Sequence, residues 1–393
     1  MLVEPETPVW TAVPAGLWPE VLERAQVHGV LPLLSDALRR AAPLNTVPST
    51  VVRAAVDAES HTARRSLMFQ AACAELASAC ATRNLPLIAL KGIHLASAVY
   101  PSPGLRPMGD IDVLVPRPRA REAWEIARAL GYVPVASTAL DRELGTAHHF
   151  TPLRRGGVDL EIHWQLLPPA LGLCGPDGHD QLFARAEPFT IRTVQVLGLA
   201  PNDLLLHLCA HAAHVHLLET RLSSVWDLAA VFGWCDRRGV TVNAGELWTR
   251  AERWGVAPGL ALMLDLAQRY TDVTVPAPIR TVLTRIDIPP AVREAAEAHL
   301  DRPADGTVIS THLTSLFDAA IPWRTRLRLA RDRAWLTGWR RPFQLAASYR
   351  RRWRQLTPTQ RQQLRTFASG RNTLAGWLNK RTADPPTPRL RRG

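Results

Sequence analysis

The sequence predicts an α+β fold in which a small mixed β-sheet is flanked by N-terminal and C-terminal helical regions. Three observations predict it. Apolar residues recur at helical spacing through the first 80 or so residues, they do so again beyond Pro201, and between these regions two short stretches alternate apolar and acidic residues with period two. The chain has 393 residues, 47% of them apolar, which suffices for a large core and about two or three domains and excludes a disordered chain.

The N-terminal helices follow from Leu17, Val21 and Leu22 and from Leu31, Leu33, Leu34 and Leu38, and these elements read as packing without chemistry. A longer helix is predicted over 49–82, stopped by Asn84 and Pro86. Leu85-Pro-Leu-Ile-Ala-Leu90 reads as a short buried strand ending at Lys91-Gly92, followed by a short helix over 93–100 and a Pro/Gly turn from Pro101 to Pro107. Gly109-Asp-Ile-Asp-Val-Leu-Val-Pro116 is a strand in which Asp110 and Asp112 share one face, since residues two apart point the same way. A helix from about Arg119 to Leu130 ends at Gly131. The second alternating strand, Val158-Asp-Leu-Glu-Ile-His-Trp164, sets Asp159, Glu161 and His163 on one face and the apolar residues on the other. The predicted organisation is a helical region over 1–82, a catalytic core over 83–200, a helical domain over 201–322, a basic Trp/Arg-rich helical segment over 323–383 and a disordered tail over 384–393.

Charge is spread unevenly. Only two of the 47 basic side chains are lysines, Lys91 and Lys380, so Lys91 stands where the chain otherwise uses arginine, and a compact ammonium is not equivalent to a planar fork. Of the net charge of +12, the segment from Trp323 onward carries more than all, with 19 basic residues against Asp332 and Asp384. Its interleaved Trp323, Trp335, Trp339, Trp353 and Trp377 leave three readings open: an RNA surface, an anionic membrane or acidic partner, and a helical lid packed on the core. Five cysteines with no C-x-x-C pair argue against a disulfide framework and for a reducing, cytoplasmic setting; Cys73 and Cys80 are expected in the core. No stretch is apolar enough to span a membrane.

Paired carboxylates one strand repeat apart suit hard cations, above all Mg²⁺ held together with substrate phosphates. Gly92 would let backbone N–H groups approach phosphate oxygens, Lys91 would meet them as a point charge, and Arg106 would clamp them as a fork. His207, His211 and His214, at i, i+4 and i+7, suggest a metal site, but Leu208 stands where the metalloprotease pattern needs glutamate, so a polar helix face over the site is the plainer reading.

Leu90-Lys-Gly92, the run from Tyr100 to Val115, and Leu160-Glu-Ile-His-Trp164 closely resemble a bacterial family of uncharacterised nucleotidyltransferases in the polymerase-β-like superfamily; His207, His211 and Trp226-Asp-Leu228 also fit it. The resemblance implies transfer of a nucleoside monophosphate from an NTP, taken to be ATP, with loss of pyrophosphate. It implies Mg²⁺ (or Mn²⁺) on Asp110, Asp112 and Glu161, with Glu161 also activating the attacking group and Asp159 its rival as third acid. The sequence departs from the superfamily where Gly-Ser usually follows the first strand: it reads Lys-Gly-Ile-His, which makes Lys91 the candidate phosphate contact. The acceptor, a small molecule, a peptide or RNA, and the oligomeric state are left open, and the rival class is an inactive nucleotide- or RNA-binding protein of the same fold.

Overall fold

The computed structural model describes residues 13–40, 47–137, 139–171, 178–301 and 369–379. The chain opens with helices α1 (Trp18–Val27), α2 (Leu31–Arg40) and the long α3 (Ser49–Ala81). The core comprises β1 (Ile88–Ala89), α4 (Lys91–His94) running into a π-helical turn at Leu95–Val99, β2 (Asp110–Leu114), α5 (Ala120–Ala129), β3 (Val133–Pro134), α6 (Leu140–Thr146), β4 (Leu153–Arg155), β5 (Val158–His163), α7 (Gly178–Arg185), β6 (Glu187–Ile191) and β7 (Val194–Gly198). Then come α8 (Pro201–Ala210), a second π-helical turn at His211–Val215, α9 (Ser223–Arg238), α10 (Ala244–Trp254), α11 (Ala257–Tyr270), α12 (Ala277–Leu283) and α13 (Pro290–Leu300), and a helix over 369–378.

The seven strands form one mixed sheet in the order β3-β4-β5-β2-β1-β7-β6. The two acidic strands lie side by side and parallel, with Asp110 opposite Asp159 and Asp112 opposite Glu161. β1 runs antiparallel to β2 and parallel to β7. Hairpins add the edges; the β4–β5 turn uses Gly156 and Gly157, both at positive φ (54° and 78°), the conformation a two-residue hairpin loop requires.

Period-two alternation sorts the side chains into two layers. Ile111, Val113 and Val115 with Val158, Leu160, Ile162 and Trp164 pack against Phe69, Cys73, Leu76 and Cys80 of α3 and Ala123, Ile126 and Ala127 of α5. Leu114, on the opposite face, joins Ile88 and Leu90 in a second core with α8, α9, α11 and α13. Asp110 and Asp112, four and two residues before Leu114, therefore face the C-terminal helical layer, and Glu161 does so beside them. A third, smaller cluster joins Trp18, Leu31, Leu38 and Val51, with Leu17 left exposed instead of buried.

Several expectations need adjusting. The first strand pairs over only two residues; Leu85 and Leu87 are buried outside the ladder, and Arg119 donates to the carbonyls of Arg83 and Asn84 ahead of it. The helix predicted over 93–100 begins at Lys91 and widens into the π-helical turn. The short strands β3, β4, β6 and β7 add to the two strands that alternation predicts. Among the described residues of the basic C-terminal segment, Trp377 is buried and donates to the Asp287 carbonyl at 3.3 Å, while Arg371 pairs with Glu219. Trp323, Trp335, Trp339, Trp353 and the tail over 384–393 lie outside the described residues. No helix among the described residues is long and apolar enough to cross a membrane.

Two imidazoles outside the site are buried as neutral groups: burial holds both His94 and His214 down to about 4. Close approach fixes them, for a Cβ on Gly198 would lie 2.4 Å from His94 Nε2 and one on Gly259 2.6 Å from His214 Nε2. The unfolded chain protonates these rings below its ordinary value near 6.5, while the folded chain does not until about 4. Stability should therefore fall as pH drops through this window, by up to about 1.4 kcal/mol per pH unit for each ring. Chemical denaturation at pH 7.5 and pH 5 checks this: His214→Leu should flatten the dependence, and an unchanged slope would refute the assignment.

Candidate active site

β2 leaves the Pro/Gly turn at Gly109 and delivers Asp110 and Asp112 to the floor of a cavity of about 510 Å³. That size lies within the range of small-molecule sites. Lys91 and Gly92 border it from the β1–α4 junction, Arg106 from the turn, and His211 and His216 from the helical layer.

Asp112 is 3% exposed, and two nitrogen donors meet its Oδ1: Lys91 Nζ at 2.8 Å and His163 Nε2 at 2.8 Å. His163 Nε2 also lies 3.3 Å from Glu161 Oε2. Burial alone would raise the Asp112 carboxyl, but the Lys91 ammonium and the His163 hydrogen bond hold it well below the usual carboxylate range. The reciprocal effect keeps Lys91 charged: burial opposes the ammonium, and Asp112, Glu161 and Asp110 outweigh it. His163 is raised in the same way, burial being outweighed by its bonds to Asp112 and Glu161. Glu161 is lowered because burial, which opposes its charge, is overcome by the His163 bond and the nearby imidazoles.

Asp110 has no such partner. Burial first, then the neighbouring Asp112 and Glu161 charges, push it up to about 6. A carboxylate short of positive charge beside two others is a position that a divalent cation would relieve. The donor set agrees: ligand atoms of Asp112, Glu161 and His163 lie within 4.8 Å of one another. Asp112 and Glu161 offer the oxygen donors a hard divalent ion takes, beside His163, while Asp110 lies outside that group.

Asp159, the alternative third acid, is occupied elsewhere. Arg154 closes on it with two bonds, Nε to Oδ1 at 2.5 Å and Nη2 to Oδ2 at 2.7 Å. Glu161 instead faces His163 at 3.3 Å and His149 Nε2 at 4.0 Å.

Lys91 has φ +42°, in the left-handed region where a non-glycine residue carries strain of about 1–3 kcal/mol, and such strain gathers at functional sites. Gly92 has a packing reason to be glycine: a Cβ there would lie 2.9 Å from Met108 Cβ, so the turn leading to Asp110 can approach only a residue without one. Arg106 borders the cavity, but its fork is closed on Asp227 of α9, Nε to Oδ1 at 2.6 Å and Nη2 to Oδ2 at 2.8 Å, and its Nη1 donates to the Pro107 carbonyl. Tyr100 Oη donates to the same Asp227 at 2.9 Å. The guanidinium expected to clamp phosphate is thus holding the turn to the helical layer.

The π-helical turn at His211–Val215 also breaks the expected histidine face. His211 and His216 reach the cavity with ring centroids 4.5 Å apart, while His214 packs on Gly259 and His207 is fully buried. Among the described residues these histidines form no group able to hold a metal. Sequence reasoning did not single out Asp227 as the partner of Arg106, or His163 as the link between two acids. The Trp226-Asp-Leu228 run and the place of His163 on the acidic strand face were the available signals.

A parallel strand pair sets a D-x-D carboxylate pair beside a third acid, under a cavity walled by helices, and the family match makes the chain a nucleotidyltransferase. The chain belongs to the uncharacterised nucleotidyltransferase family, whose model matches residues 14–272. Solved structures similar to it include the crystal structure of ANT(2'')-Ia in complex with adenylyl-2''-tobramycin, at 15% identity over 51% of this chain and 98% of that one, TM-score 0.32. Another is an antigenic nucleotidyltransferase-like protein from Paracoccidioides brasiliensis, at 14% identity over 55% and 92% of the chains, TM-score 0.36. No curated protein matches the chain.

The buried Arg106–Asp227 pair gives a direct test. Asp227→Ala should destabilise the protein by about 3–5 kcal/mol, because it strands a buried guanidinium, whereas Arg106→Met with Asp227→Leu should cost markedly less. Thermal melts of the single and double variants decide it; a double variant as unstable as the single would mean that the pair is not what matters there.

Proposed function

We propose that this nucleotidyltransferase transfers a nucleoside monophosphate from an NTP, taken to be ATP, to an acceptor, with release of pyrophosphate, and that it acts in the cytosol. The observation that carries the reading is the parallel register of β2 and β5, which sets Asp112 beside Glu161 with Asp110 one repeat away on the cavity floor. Asp110, Asp112 and Glu161 would hold Mg²⁺ (or Mn²⁺), which when bound would neutralise charge building on the phosphoryl oxygens.

The chain's own residues do the rest. Lys91 lines the cavity and carries the only ammonium side chain among the described residues, so on nucleotide binding it can turn from Asp112 to the leaving phosphates, replacing the usual serine contact. Glu161 is held as a carboxylate and can accept the proton of an attacking hydroxyl. The bond from the acceptor oxygen to the α-phosphorus forms as the bond to the pyrophosphate oxygen breaks. Gly92 and the Arg106–Asp227 pair position the turn that presents Asp110. A small molecule, a peptide or RNA would serve as acceptor. An RNA acceptor would engage the basic segment over 323–383, most of which lies outside the described residues.

Incubation with each α-labelled NTP and fractionated lysate tests this. Label should pass to one acceptor pool with pyrophosphate release, and Asp110→Asn should abolish both. Because the Asp110 carboxylate is disfavoured in the fold, the same substitution should raise stability above pH 6 by about 1–2 kcal/mol. Transfer retained in Asp110→Asn or Asp112→Asn would overturn the assignment, and NTP binding without pyrophosphate release would favour an inactive binding protein.

A further inference from the structure

The cavity has a wall that the transfer chemistry leaves unused. Arg65 reaches it from α3 and Arg221 from the stretch just before α9, so the N-terminal helices contribute more than packing. Arg65 is half-buried and Arg221 exposed. The Arg65 guanidinium lies over the Phe69 ring, 5.2 Å from its centroid. The Arg221 stem rests on Gly29, where a Cβ would come 3.4 Å from Arg221 Cδ, and Gly29 itself is left-handed at φ +68°. The Arg221 backbone is tied as well: its carbonyl accepts from Ser224 N at 2.9 Å and from Ser224 Oγ at 2.8 Å, and the His28 carbonyl accepts from Ser223 N at 3.2 Å.

Charge accounting then separates this wall from the floor. Lys91 is neutralised by Asp112 and Arg106 by Asp227. Among the described residues no carboxylate forms an ion pair with Arg65 or Arg221. Ser66 also belongs to the cavity lining; it is 1% exposed, and its buried Oγ has no hydrogen-bond partner. Two guanidinium groups without an ion-pair partner among the described residues and an unsatisfied hydroxyl, all on one cavity lining, match the oxygens of a phosphate group, which arginine binds by its fork. A polycationic acceptor would meet the wrong sign here.

We infer that Arg65, Arg221 and Ser66 form a subsite for a phosphate-bearing, multiply charged anion, distinct from the carboxylate floor. What fills it rests on the transfer reading: either the β- and γ-phosphates of the NTP or a phosphate group on the acceptor. The subsite itself does not depend on turnover.

Calorimetric titration of the full-length protein with inorganic tripolyphosphate, without metal and at low ionic strength, tests it. Arg65→Gln and Arg221→Gln should each weaken binding about tenfold and the pair about a hundredfold, as expected for charge-assisted bonds of roughly 1.4 kcal/mol each. Arg65→Lys should recover part of the loss and guards against a folding artefact, which thermal melts of every variant also report. ATP then distinguishes the sources. If the double variant loses ATP affinity by the same factor, the subsite holds the triphosphate; if ATP binds unchanged and tripolyphosphate still binds the ATP-loaded protein, it holds the acceptor. Absence of tripolyphosphate binding, or binding equally tight in the folded double variant, as attachment to the basic C-terminal segment would give, overturns the inference. A protein that binds tripolyphosphate through these arginines but never releases pyrophosphate keeps the subsite and loses the transfer reading.

Discussion

A carboxylate buried as deeply as that of Asp112 is tolerated only when its charge is matched on the spot, because taking an ion out of water costs several kcal/mol even after the protein relaxes. Lys91 and His163 supply that match, and much of the core is arranged to bring them to it. Lys91 arrives from the end of β1, through a strained left-handed backbone that lets α4 begin at once. His163 arrives from the end of β5, and it can do so only because β5 runs parallel to β2 in the register that also sets Glu161 opposite Asp112. The neutralisation is local and incomplete. Asp110, one repeat along the same strand, is left with like charges around it.

A second buried ion pair extends the same logic to the helical layer. Asp227 accepts from both arms of Arg106 and from Tyr100, and Arg237 on the same helix donates to the Val99 carbonyl at 2.6 Å. Tyr100 and Arg106 bracket the turn that leads into β2, so α9 sets where Asp110 begins. The N-terminal helices join from the other side: α3 packs its apolar face under the sheet and carries Arg65 and Ser66 to the cavity along its length. The site is thus bounded by stretches of sequence far apart in the chain, and the ion pair across 121 residues fixes the alignment of two of them.

That separation explains which features are legible in the sequence and which are not. The acidic strands are legible because alternation is a local property, and Ile111, Val113, Leu160 and Ile162 report one face while Asp110, Asp112 and Glu161 report the other. The long helix over Ser49–Ala81 is legible for the same reason. Strands of two or three residues, such as β3 and β4, have no period to detect and exist because neighbours pair with them. The histidine face departs from helical spacing because a π-helical turn over His211–Val215 inserts one residue and rotates the side chains beyond it, an event invisible to a 3.6-residue count. The partners of Arg106, Asp159 and Glu161 depend on tertiary placement. Local spacing puts Asp159 and Glu161 on one face, and only the β4 hairpin, by presenting Arg154, separates their fates.

The contrast among the aspartates bears on why a chain of arginines keeps one lysine near its site. Arg106 on Asp227, Arg154 on Asp159 and Arg185 on Asp203 each close both carboxylate oxygens with a two-pronged fork. Such a carboxylate has both oxygens engaged by one side chain and suits architecture. Lys91 and His163 both approach Oδ1 of Asp112, so neither spans the group, and Oδ2 receives no bond from either of them. A point donor satisfies the charge while leaving Oδ2 unengaged by it, and it can withdraw by rotating a flexible stem, whereas a fork would have to break two parallel bonds together. The requirement at position 91 is therefore a positive charge that neutralises Asp112 without closing it, and arginine meets only half of that requirement.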